Sequence, residues 1–67
     1  MNKITMKAAR VNAGMTQKDM SAKMHVTVAT ISTWERGIRI PKPAQFEMYC
    51  RICGRPTDDI FLPKRLG

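Results

Sequence analysis

Cys50 and Cys53, spaced as C-x-x-C in "YCRICG", and the single His25 are the side chains whose types suit metal or redox chemistry. Two thiolates do not complete the four-ligand tetrahedral shell of a zinc site, and there is no second cysteine pair. The pair falls in a helical pattern, where free cysteine behaves as a small apolar side chain, so reduced, packed cysteines are expected, with no metal and no cofactor. A Ser–His–acid set and a glycine-rich phosphate loop are both missing, so no enzyme is expected. What remains is charge. Twelve Lys and Arg face five Asp and Glu, a net +7, and the excess is uneven. Residues 1–42 hold eight basic and two acidic groups, leaving +6, whereas residues 43–67 hold four and three, leaving +1. Solubility alone does not require such asymmetry, and the front of the chain is suited to a polyanion.

The elements that must position these charges fit one domain spanning residues 1–67. A chain this short buries only about 60% of its unfolded surface, so a small core is expected, with a dimer as further support. No apolar run approaches the roughly 20 residues of a membrane span, and "MNKITMKAAR" lacks the apolar stretch of a secretory signal, so a cytosolic protein without membrane contact is expected.

Strand alternation is absent and helix start signals recur, predicting an all-α fold, a compact five-helix bundle. Residues 2–13 form the first helical pattern, with Ile4, Ala8 and Val11 on one face, Lys3, Lys7 and Arg10 towards the other or its edge, and Gly14 as the stop. In "GMTQKDMSAKM", Thr16 and Asp19 have capping-box spacing, and Met15 and Met20 occupy the places of a hydrophobic staple. Met20 and Met24 then stack on the buried face of the second helix, and the methionines in general read as gap-filling core residues. Thr27 repeats the start eleven residues after Thr16, with Val26 and Ile31 as its staple pair. Two short helices joined this tightly cross steeply, which predicts a helix-turn-helix over about residues 16–36.

On the third helix Ile31 and Trp34 point one way, while Ala29, Ser32, Thr33 and Arg36 fan outward. The outward face is short, and its one long side chain is basic, which suits close approach to a groove wall. Gly37 ends the helix, and Pro41 and Pro43 prevent its continuation, Pro43 beginning the fourth.

The stretch "MTQKDMSAKMHVTVATISTWERGIRIP" resembles the helix-turn-helix of the Cro and C-type phage repressors, the XRE family, in which a Thr-Gln start, an eleven-residue offset and a Trp-Glu-Arg-Gly close are frequent. The resemblance extends from Arg10 through "PAQFEMYCRICG" to "TDDIFLP", and implies a lambda-repressor-like domain that binds double-stranded DNA. His25 and Val26 stand in a turn where many relatives have glycine, so His25 is a candidate for left-handed backbone. By this resemblance Gln17 would bond a DNA phosphate, the alternative being a solvated surface side chain. Thr27 would cap and touch phosphate, and Arg36, Arg39 and Lys42 would lie along the backbone or reach a minor groove. Arg10 and Glu35 would pair across the first and third helices; otherwise Arg10 contacts DNA and Glu35 lies on the surface.

For base readout, Val28 and Ala29 open the third helix with methyl groups that match the thymine methyl, while Ser32 and Thr33 hydroxyls bond several base edges and discriminate poorly. Helix four, Pro43 to Cys53, is apolar over an arc holding Phe46, Met48, Tyr49, Cys50, Ile52 and Cys53, with Glu47 and Arg51 opposite. Thr57 is expected to cap a short fifth helix carrying Asp58 and Asp59, followed by Ile60, Phe61 and Leu62. Part of that triplet covers the core, and the rest is either a homodimer contact or plain capping of the fold.

Two functions compete at this level. One is a Cro-sized repressor that occupies a two-fold symmetric operator, without a small-molecule ligand. The other is a protein-interaction module on the same scaffold, an antirepressor or transcription co-factor; the front-loaded charge speaks against it.

Overall fold

A computed structural model describes residues 3–62. Its helices are α1 (Met6–Asn12), α2 (Gln17–Met24), α3 (Val28–Glu35) and α4 (Pro43–Ile52), followed by a single 3₁₀ turn at Thr57–Asp59. Among the described residues there are thus four helices where five were expected. The fifth is cut short because Ile60 is extended (φ −124°, ψ 131°) and pairs with Ile4 in an isolated parallel bridge. Ile4 N–H donates to the Asp59 carbonyl at 2.9 Å, and Phe61 N–H donates to the Ile4 carbonyl at 2.8 Å. Thr57 makes no side-chain cap; Pro56 holds the cap position.

The bridge also explains why α1 starts late. The expected span from residue 2 begins outside the described residues, and Ile4 is drawn into the bridge. Thr5 then caps the helix, its Oγ1 accepting from Ala8 N–H at 3.0 Å. The buried face of α1 is Met6, Ala9 and Arg10; of the residues expected there, Ile4 precedes the helix but packs against the core, Ala8 is half-buried and Val11 is 55% exposed. Apolar spacing alone permits either face, and the burial of Arg10 by a partner on α3 selects this one.

The other helix starts form as their local chemistry dictates. Thr16 Oγ1 accepts from Asp19 N–H at 3.0 Å while Asp19 Oδ2 accepts from Thr16 N–H at 2.9 Å. Those bonds from Thr16, its backbone N–H first, hold the Asp19 carboxyl below its usual range. Thr27 Oγ1 accepts from Thr30 N–H at 3.1 Å. At α4 it is Gln45 that serves, its Oε1 accepting from Lys42 N–H at 2.9 Å.

All four helices end in one motif, in which the residue after the one at positive φ bonds back to the carbonyl five residues earlier. The donors and acceptors are Met15 to Arg10, Val26 to Ser21, Ile38 to Thr33 and Arg55 to Cys50. Three of these ends use glycine at positive φ; the second uses His25, at φ 58° and ψ 40°. The left-handed His25 expected from the turn is therefore present.

The core joins Met6 and Ala9 of α1, Met20 and Met24 of α2, Ile31 and Trp34 of α3, and Phe46, Tyr49 and Cys50 of α4, closed by Ile60. Ile4, Met15, Val26, Ile52 and Cys53 pack at its margin, whereas Met48, expected in the apolar arc of α4, is 37% exposed. Each such buried side chain contributes about 1.5–3 kcal/mol, which a domain this small needs. Both cysteines are free thiols. Burial raises the Cys50 thiol, and burial with the adjacent Cys50 pushes Cys53 up to about 11, so both stay protonated near neutrality.

Candidate DNA interface

The turn between α2 and α3 is held by backbone geometry, so the start of α3 stands clear of the core. Ile31 and Trp34 are buried at 0% and 3% exposure, which turns Val28, Ala29 and Arg36 to solvent and leaves Ser32 and Thr33 half-buried. The hydroxyls on this face are not equivalent. Thr33 Oγ1 donates to the Thr30 carbonyl at 2.8 Å, and the Thr27 and Thr30 hydroxyl oxygens lie 2.9 Å apart. Thr33 therefore offers an outside group only its lone pairs, whereas the Ser32 hydroxyl has no hydrogen-bond partner among the described residues and keeps both functions.

Gly37, at φ 74°, turns the chain out of α3, and the loop returns along the same side. Ala29, Thr30, Thr33 and Trp34 of α3, Arg39, Ile40 and Lys42 of the loop, and Gln45 of α4 line one open cavity of about 640 Å³. Ala29, Thr33, Arg39 and Lys42 are thus brought together. Val28, Ser32, Arg36, Gln17 and Thr27 lie outside that lining. Thr30 and Gln45 were not among the expected site residues. Gln45 was legible as the third residue of a helix begun by Pro43, where a glutamine closes a capping box; Thr30 gave no comparable signal.

Behind this face lies a polar cluster. Arg10 Nε and Nη2 donate to the Glu35 carboxylate at 2.8 and 3.1 Å, and Arg10 Nη1 donates to the Met15 carbonyl at 2.8 Å. The two side chains are 8% and 2% exposed, so the expected pair is present and buried. Two further groups join it: Gln17 Nε2 donates to Glu35 Oε1 at 3.2 Å, and Tyr49 Oη lies 2.6 Å from Glu35 Oε2. Burial opposes ionisation of Glu35, but hydrogen bonds from Arg10, Tyr49 and Gln17 outweigh it and hold the carboxyl below its usual range. The hydrogen bond to Glu35 raises Arg10 against its burial penalty, and burial followed by the bond to Glu35 drives the Tyr49 hydroxyl far upward. One buried carboxylate therefore ties α3 to α1, α2 and α4, and its charge is neutralised before it can oppose a polyanion.

Two expectations change here. Gln17 is neither a solvated side chain nor wholly free for phosphate, because its amide is bonded to Glu35. Ile60 is 1% exposed and belongs to the core, so it is not a dimer contact; Phe61 and Leu62 are 53% and 47% exposed.

A family model described as Helix-turn-helix matches residues 6–60, from the first residue of α1 to the bridge at Ile60. The chain belongs to the XRE-type helix-turn-helix family. Members of this Cro/C1-like family are DNA-binding transcription regulators, and double-stranded DNA is the partner that the domain implies. No curated protein and no solved structure gives a significant match to the chain. No helix among the described residues is long and apolar enough to cross a membrane.

Proposed function

We propose that this XRE-type protein is a small Cro-like repressor of a phage or prophage that binds a two-fold symmetric operator as a homodimer and excludes polymerase from it. The observation that carries this reading is the placement of Val28 and Ala29, exposed at the start of α3, beside the cavity where Arg39 and Lys42 converge. Methyl groups there suit the thymine methyl, Ser32 and Thr33 add polar contacts of low selectivity, and the flanking cations suit the phosphates on either side. Gln17, Thr27, Arg36, Arg39 and Lys42 hold the backbone, and the Arg10–Glu35 pair is structural. Phe61 and Leu62 supply an apolar surface for a second copy, and one module of this size buries too little DNA for tight specific binding alone.

Selection of bound sites from random duplexes at two salt concentrations tests this. The expected product is an inverted repeat with half-sites about 34 Å apart, rich in A·T steps, bound with affinity that falls steeply with salt. A selected site without any inverted repeat, holding one monomer per duplex, would remove the dimeric reading. Weak, salt-insensitive binding would favour a protein-interaction module.

A further inference from the structure

The side-chain amide of Gln17 carries two hydrogens, and the one acceptor it meets among the described residues is Glu35 Oε1. Gln17 is half-buried at the first position of α2, where the capping box occupies the Thr16 and Asp19 N–H groups and leaves those of Gln17 and Lys18 without an intrahelical acceptor. Glu35 cannot turn. Arg10 holds both of its oxygens, and Tyr49 Oη approaches Oε2 at 2.6 Å. An amide with one N–H pinned to so fixed an acceptor has lost rotation about its last torsion, and its second N–H diverges from the first in the same plane.

We propose that Glu35 is a positioning residue for DNA binding: its buried carboxylate orients the Gln17 amide so that the second hydrogen, with the backbone N–H groups of Gln17 and Lys18, meets a DNA phosphate. This rests on the assignment of Gln17 to phosphate under the proposed function. A side chain ordered before binding does not lose its rotamer freedom on the DNA, an advantage of about three- to tenfold in affinity. Arg10 and Tyr49 then influence affinity without touching DNA, through the carboxylate they hold.

The experiment is a double-mutant cycle in affinity for a short mixed-sequence duplex at low salt, on which a phosphate contact acts whatever the sequence. Arg10→Met with Glu35→Met removes the acceptor and leaves no unpaired charge. With Gln17 present, this replacement is expected to weaken binding about three- to tenfold; in a Gln17→Ala background it changes binding by less than about twofold. Equal losses in both backgrounds overturn the positioning role while leaving the phosphate assignment standing. A Gln17→Ala protein that binds as wild type overturns the phosphate assignment and the positioning role with it. The wild-type protein supplies a second readout that needs no folded variant, the two Nε2 proton resonances of Gln17 followed by NMR as duplex is added. One proton is expected to stay in place, bonded to Glu35, while the other shifts; a single averaged, mobile pair overturns the proposal.

Discussion

Tyr49 Oη lies 2.6 Å from Glu35 Oε2 and 2.8 Å from the Met6 carbonyl oxygen, so one hydroxyl links α4 to both α3 and α1. It has a single proton and donates to one acceptor at a time, yet both acceptors stand close enough to share it. Tyr49 is fully buried, which makes the hydroxyl as important as the ring.

Tyr49→Phe keeps the ring and removes the donor, leaving a buried carboxylate with one bond fewer. The expected cost is about 1.5–3 kcal/mol, the range for hydrogen bonds to charged groups, read from urea unfolding. A Tyr49→Phe protein as stable as wild type would mean that Arg10 and Gln17 alone satisfy Glu35.

Arg10→Met leaves Glu35 buried and unmatched, with an expected loss of about 3 kcal/mol, and Glu35→Gln added to it recovers part of that loss. Additive effects would show that the groups do not interact. Acid titration reports the same site. The folded Glu35 carboxyl lies below its ordinary 4.5, so the unfolded chain takes up the proton more readily. Its contribution is complete above pH 4.5 and is lost as the pH falls through the lower folded value, a loss that the Glu35→Gln protein lacks.

His25 holds left-handed backbone at a position where the other three helices use glycine. His25→Gly is expected to stabilise by about 0.5–1 kcal/mol, since the strain of a side chain at positive φ exceeds the entropy that glycine adds to the unfolded chain. Gly14→Ala is the converse. A Cβ there meets nothing within 4 Å, so the expected loss of about 1–2 kcal/mol at φ +75° comes from backbone conformation alone. Thermal unfolding of both variants checks the pair.

Arg36→Ala and Gln17→Ala are expected to weaken binding to all duplexes nearly equally, the arginine variant with a shallower salt slope. Val28→Ala and Ala29→Gln should instead change which base is preferred, measured by repeating the site selection with each variant. Loss of a guanine requirement in Arg36→Ala, with Val28 and Ala29 changes silent, would move base readout to the arginine.

Ile60 and Phe61 are adjacent yet differ in burial, 1% against 53%, so their substitutions should separate. Ile60→Ala is expected to cost about 2–4 kcal/mol of stability through a cavity in the core. Phe61→Lys should leave monomer stability nearly unchanged and raise the protein concentration needed to fill an inverted-repeat site. Unchanged cooperativity in Phe61→Lys would place the dimer contact elsewhere.

Helix boundaries written within four residues were legible in the amino-acid order alone. The Thr16–Asp19 box, the Thr27 cap and the Gly37 stop each depend on bonds between near neighbours, so spacing and side-chain type determine them. The Arg10–Glu35 pair and the left-handed His25 were reached through resemblance. Tertiary structure decided what depends on distant partners. Which face of α1 is buried turned on Arg10 meeting Glu35, twenty-five residues away. Tyr49 read as one more apolar position on α4, because nothing near it in the chain shows that its hydroxyl reaches Glu35 and Met6. The bridge between Ile4 and Ile60 ended the last helix and withdrew Ile60 from the surface, and Gln17 acquired Glu35 as a partner only once α2 packed on α3. The reason is the same in each case: a cap closes on a neighbour whatever the fold, whereas a buried polar group is satisfied by whichever element the packing brings beside it.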